Sequence, residues 1–95
     1  MHVISRKKLC EFWEKHPDSE GPLSAWYKVA QRATWKKFAD IKAVYRSADQ
    51  VEKFIVLNIG GNKYRLIIEV YYEDEVILVR HVLTHSEYDR GAWKA

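Results

Sequence analysis

From Val51 to Leu83 the chain consists almost entirely of three strand-like runs, VEKFIVLNI, KYRLIIEVYY and VILVRHVL. Each is rich in β-branched and aromatic side chains, which pack well on a pleated, half-buried surface. Gly60-Gly61-Asn62 separates the first two, and Asp74, flanked by Glu73 and Glu75, separates the second from the third. Both breaks are short and polar and carry residues that accept a tight-turn backbone, so successive runs lie antiparallel in a meander. A sheet of this kind has an apolar face that must be covered, and the first half of the chain has to supply the cover.

It does so with helical patterns. His2 to Ile4 suit a short opening strand, and Ser5 is a plausible N-cap because its hydroxyl can accept from free first-turn amides. In RKKLCEFWEKH, Leu9, Phe12, Trp13 and His16 recur at spacings that share one helical face, and Pro17 stops the pattern. DSEGP reads as a turn with Pro22 at the first position of a second helix, whose stripe is Leu23, Trp26, Tyr27 and Ala30 and which runs to about Arg32. Thr34 to Asp49 is basic and aromatic without clean periodicity, which fits a short helical turn and a long connection. In the tail, Thr84 or Ser86 can cap a final short turn that Gly91 ends. The order predicts an α+β fold: a short N-terminal strand, then a two-helix hairpin packed on a three- to four-stranded, mainly antiparallel sheet. All of residues 1–95 form one domain.

Composition narrows the function classes. Hydrophobic residues make up 47% and aromatics 14% of the 95 residues, which suits a globular chain with a modest core rather than a disordered one. The net charge of +3 permits a polyanionic partner without demanding one. Cys10 is the single cysteine, which excludes an internal disulfide and reads as a buried thiol on a helix. No apolar run is long enough to span a bilayer, and MHVISRKKL does not read as a signal peptide, so the expectation is a cytoplasmic protein with no membrane role.

Alternation along the middle run puts Tyr64, Leu66, Ile68, Val70 and Tyr72 on one side, against the helices, and Lys63, Arg65, Ile67, Glu69 and Tyr71 on the other. Lys63 and Arg65 then point together to the open face, about 7 Å apart. Such a pair suits an anionic ligand, or a wetted sheet surface with Glu69 as partner. Arg80 shares parity with Val76, Leu78, Val82 and Thr84, which leaves open whether it faces a ligand or an edge, since a bulge can exchange the faces. THSEYD brings together an imidazole, a phenol and two carboxylates. His85 is a candidate proton carrier and Tyr88 a hydrogen-bond donor or stacking group, unless the cluster only anchors the C-terminal turn. His81 and His85 lie about 13 Å apart on an extended strand, too far to share a metal ion. No metal or other cofactor is expected.

LNIGGNKYRLIIEV followed by VILVRHVLTHSEYD, with FADIKAVYRSAD upstream, resembles the HigB branch of the RelE-like toxins from about Phe38 to Asp89. The resemblance implies the toxin of a type II toxin–antitoxin pair, an mRNA endoribonuclease (an mRNA interferase) acting on messages in the ribosomal A site, with a microbial-ribonuclease-like fold. It implies a HigA-like helix-turn-helix antitoxin as partner, through which alone the toxin meets operator DNA. The implied reaction is metal-independent attack of a ribose 2′-hydroxyl on the adjacent phosphate. By this resemblance Arg65 binds the scissile phosphate, Tyr88 orients the nucleophile or stacks on a base, and Lys63 is a second phosphate contact. His85 stands where many relatives carry an arginine and can serve as acid or base. Asn58 stands where RelE has a lysine and can hydrogen-bond but not readily carry a proton. Asn58, Lys63, Arg80, Lys36 and Lys37 are the expected RNA contacts. A second reading is a non-catalytic RNA- or protein-binding module using the open face and the segment from Trp35 to Tyr45. A third is a structural domain whose polar cluster merely ends the sheet.

Overall fold

The computed structural model describes residues 1–94. Strand β1 (His2–Ile4) leads into helix α1 (Arg6–Lys15), a 3-10 turn at Pro17–Ser19 and helix α2 (Glu20–Arg32). Helix α3 (Phe38–Val44) precedes strands β2 (Asp49–Val51), β3 (Phe54–Ile59), β4 (Tyr64–Tyr71) and β5 (Val76–Thr84), and the short helix α4 (His85–Arg90) follows directly. The strands form one sheet in the order β1-β5-β4-β3-β2, antiparallel throughout except that β1 lies parallel to β5. The α+β class and the helical hairpin are as the sequence predicts.

The sheet has five strands because the VEKFIVLNI run is itself a hairpin. Val51 pairs with Phe54, and Glu52 and Lys53 form the two-residue turn, with Glu52 at a positive φ of 55°. Alternation of apolar residues does not reveal this fold-back, since Val51 and Phe54 both sit where a straight strand would accept them. At the helices, Ser5 occupies the N-cap of α1 in an extended conformation, but its hydroxyl makes no capping bond. Pro22 lies in the first turn of α2, two residues later than expected, where its missing amide still costs no intrahelical bond.

One face of the sheet carries the main core. Leu9 of α1, Leu23, Trp26 and Ala30 of α2, and Ile41 of α3 pack on Ile55, Leu57, Leu66, Ile68, Ile77 and Val79. The stripe on α2 follows the i, i+3, i+7 spacing that lets one helical face meet a sheet. The opposite face is only partly open. Phe54, Val56, Ile67 and Trp93 form a second, smaller buried cluster there, flanked by Leu83 and Tyr88.

A bulge in β5 settles which of its side chains face where. Ile67 pairs with His81 but Ile68 pairs with Val79, so Arg80 is the extra residue. Ile77 and Val79 therefore belong to the main core, whereas His81 and Leu83 emerge on the open face. The bulge also lets Arg80 reach Glu69, a carboxylate only 5% exposed, with Nε 2.6 Å from Oε1. The Tyr71 hydroxyl donates to the other oxygen at 2.8 Å. Burial pushes the Glu69 carboxyl up, but those two donors and the Arg80 charge outweigh it and leave the pKa below its ordinary value. Arg80 is thus the counter-ion of a buried acid. No described helix is long and apolar enough to cross a membrane.

Candidate active site at the open end of the sheet

The Gly60-Gly61 turn fixes the start of β4. Both glycines have positive φ, 62° and 69°, and Lys63 still belongs to the turn. Its side chain therefore does not share the open face with Arg65 as alternation predicts. It runs to Asp18, with Nζ 2.9 Å from Oδ2, while the Tyr64 hydroxyl donates to Asp18 Oδ1 at 2.6 Å. The bond from Tyr64 and then that from Lys63 hold the Asp18 carboxyl below the ordinary carboxylate range, and donating those bonds, ahead of the carboxylate's charge, raises the Lys63 and Tyr64 pKa values. This clamp ties the β3–β4 turn to the α1–α2 connection.

The clamp has a pH signature with a definite sign. Asp18 has a lowered folded pKa, so its contribution is present above the unfolded value and disappears as pH falls through the folded one. Lys63, raised, contributes below its unfolded pKa and loses that contribution as pH rises through the folded value. Asp18→Asn is expected to lower the melting temperature at neutral pH, and the gap from wild type should close as pH falls through the lowered folded pKa. Thermal melts across the acid range in low salt measure it; a gap independent of pH would contradict the clamp.

Arg65 lies on the open face of β4, directly opposite Asn58 on β3 and Leu83 on β5. It is 8% exposed. Nη1 donates to the carbonyls of Asn62 and Tyr64, and Nη2 donates to Asn62 Oδ1 at 2.9 Å. These take three of the five N–H groups of the guanidinium and leave two without an acceptor among the described residues. The Tyr88 ring covers it, with Cζ 5.4 Å from the ring centroid. Behind Tyr88, Trp93 stacks at 5.3 Å and 15°, donates its indole N–H to the Tyr88 carbonyl, and meets Phe54 edge-on.

Helix α4 delivers Tyr88 and His85. Thr84 caps it in a full capping box: Thr84 Oγ1 accepts from the Glu87 amide, and Glu87 Oε1 accepts from the Thr84 amide. Gly91, at a φ of 73°, ends it. The cap is Thr84 rather than Ser86. The His85 amide donates to the Lys63 carbonyl at 3.1 Å, which binds α4 to the β3–β4 turn. The His85 ring is half-exposed, and its Nδ1 lies 3.6 Å from Asp89 Oδ2, beyond hydrogen-bond distance. Thr84→Ala is expected to destabilise the protein by about 1 kcal/mol, read from urea unfolding.

The structure thus brings Asn58, Arg65, Tyr88 and His85 to one end of the sheet. It separates the other predicted contacts from them. Arg80, through Glu69, is about 13 Å down the strand. Lys36 lines a cavity with Tyr72 and Glu73, about 23 Å along β4 from Arg65, and Lys37 follows it at the N-cap of α3. Sequence reasoning passed over Asp18 and Trp93. A large apolar side chain stranded in a polar tail is the signal for Trp93; nothing in the spacing points to Asp18.

A family model described as "HigB_toxin, RelE-like toxic component of a toxin-antitoxin system" matches residues 19–91. The chain belongs to the HigB family of RelE-like toxins. Among its relatives, the "mRNA interferase toxin HigB" of Escherichia coli K12 is 36% identical over 92 residues, covering 94% of this chain and 88% of the relative. The "mRNA interferase HigB" of Shigella flexneri matches equally well. The protein of that name from Escherichia coli O6:H1 is 27% identical over 93 residues, covering 95% and 90%. The family match spans β2 to β5 and α4, including Asn58, Arg65, His85 and Tyr88. As the toxic component of a toxin–antitoxin system, a member of this family has an antitoxin as its counterpart.

Proposed function

We propose that the protein is an mRNA interferase that cuts messages on the ribosome through Arg65, His85 and Tyr88. The observation that carries the site assignment is the contact between the Arg65 guanidinium and the Tyr88 ring, with two N–H groups to spare, beside Asn58. A forked donor held by carbonyls is preorganised for a phosphate oxygen and needs no rearrangement as charge builds there.

In the reaction, the ribose 2′-oxygen forms a bond to phosphorus and the bond to the 5′-oxygen breaks. The products are a 2′,3′-cyclic phosphate and a 5′-hydroxyl. The 2′-hydroxyl proton leaves to a base, and the 5′-oxygen takes a proton. His85, half-exposed on α4 with Asp89 3.6 Å from its Nδ1, serves one of these transfers. Tyr88 aligns the nucleotide, and Asn58 supplies a hydrogen bond without carrying a proton. The partner is a helix-turn-helix antitoxin that meets operator DNA, and Lys36 and Lys37 contact RNA away from the cleaved linkage.

The test uses a translating extract and a growth assay. Wild-type protein should cut message and arrest growth, and His85→Gln should slow cutting about 100-fold, the scale of a lost acid–base group. Binding of RNA with no cleavage by the wild type would favour the non-catalytic module, and an undiminished His85→Gln variant would remove His85 from the chemistry.

A further inference from the structure

The groups proposed for the chemistry rest on one three-residue stretch, Asn62 to Tyr64. Arg65 Nη1 donates to the carbonyls of Asn62 and Tyr64, at 3.1 and 3.2 Å, and Nη2 donates to Asn62 Oδ1. The carbonyl between those two, that of Lys63, accepts the His85 amide at 3.1 Å. Three successive carbonyls thus aim the arginine and moor the helix that carries the imidazole and the phenol. A shift of this stretch moves the phosphate-binding fork relative to the acid–base group.

The turn does little to hold itself. Gly60 and Gly61, both at positive φ, lead into it, and glycine leaves a backbone more conformations than any other residue. The Lys63 amide reaches the Gly60 carbonyl only at 3.4 Å, and Gly61, Asn62 and Lys63 are exposed. The restraint comes from 45 residues away: Asp18 accepts from Lys63 Nζ at 2.9 Å through one carboxylate oxygen and from the Tyr64 hydroxyl at 2.6 Å through the other. Asp18 is itself a fixed post. Pro17 before it has its φ locked by its ring. Ser19 after it is buried, and its amide and hydroxyl both donate to the His16 carbonyl. The His16 ring stacks on Phe12, which meets Tyr64 edge-on.

We infer that Asp18 is a positioning residue of the cleavage site: by gripping Lys63 and Tyr64 it fixes the carbonyls that aim Arg65 and moor His85. The inference rests on the ribonuclease reading above and adds to it a residue from the helical layer that touches no reacting atom. It also gives Lys63 a part in aiming the site rather than in binding the message. The ion pair is exposed and adds only modestly to overall stability, so the main effect falls on the rate.

The experiment has a cleavage arm and an exchange arm. Asp18→Asn keeps the shape but replaces a carboxylate with one acceptor and one donor, so it cannot accept from Lys63 and Tyr64 through separate oxygens. Its maximal single-turnover rate in a translating extract should fall about tenfold, while the half-saturating toxin concentration stays within about twofold of wild type. Tyr64→Phe should act in the same way, and the double variant should lose far less than the product of the two single losses. In the exchange arm, the His85 amide should exchange with solvent about tenfold faster in each variant, beyond any change at the core amides of Leu66 and Ile68. An Asp18→Asn variant that cuts at the wild-type rate would overturn the inference. So would a change confined to the half-saturating concentration, which marks a part in binding the message, or faster exchange shared equally by the core, which marks a part in stability alone. Wild-type protein that cuts nothing would refute the ribonuclease reading, and the exchange arm would then decide this one: loosening confined to His85 upholds the brace, and its absence overturns it.

Discussion

Arg65→Lys is expected to leave the protein folded and to reduce message cleavage about 100-fold or more, with loss of growth arrest. The reasoning starts from the number of donors. Arginine gives three N–H groups to Asn62 and Tyr64 and keeps two for the phosphate. A lysine ammonium has three donors at one point, and at an 8% exposed position the neighbouring carbonyls claim them. The fold survives because those carbonyls remain satisfied; the phosphate loses its fork. Single-turnover cleavage in a translating extract, with circular dichroism to confirm folding, measures the effect. A lysine variant as active as wild type would show that Arg65 serves only the turn it braces.

Trp93→Ala carries the largest expected stability cost, about 3 kcal/mol. The indole is 6% exposed and lies at the centre of the second core, against Phe54, Val56 and Ile67. The cost falls at the lower end for a buried tryptophan because the tail can peel away rather than leave a rigid hole. Trp93→Phe, which keeps ring contact with Phe54 and Tyr88 but loses the bond to the Tyr88 carbonyl, should cost about 1 kcal/mol. Since Trp93 backs Tyr88, the alanine variant should also lose activity beyond its instability, measurable at a temperature where it remains folded. Urea unfolding curves indistinguishable from wild type would mean that the tail does not dock as described.

The sheet and its helical cover were legible because they are written in periodicity. Leu23, Trp26 and Ala30 specify a helical face, and Leu66 and Ile68 specify the strand face it meets, and these are core pairs in the folded chain. The places where sequence reading fell short are those where the backbone breaks its own rhythm. Lys63 left the open face because the glycine turn extends one residue further than alternation implies. Ile77 and Val79 parted from His81 and Leu83 because one inserted residue at Arg80 shifts the register. VEKFIVLNI folded back at Glu52, which carries no glycine or proline to announce it. The proposed site was partly legible for a different reason. Arg65 and Tyr88 could be named from their resemblance to a family, but their stacking depends on Trp93 and on the Thr84 cap, which act through three-dimensional contacts that spacing does not encode.

The parallel pairing of β1 with β5 also constrains how the molecule comes into being. His2 lies beside Val76 and Ile4 beside Leu78, so β1 cannot join the sheet until β5 has been made. Helix α4, which holds His85 and Tyr88, emerges later still. The end of the sheet to which Arg65, His85 and Tyr88 are brought is therefore assembled only after all five strands have been made.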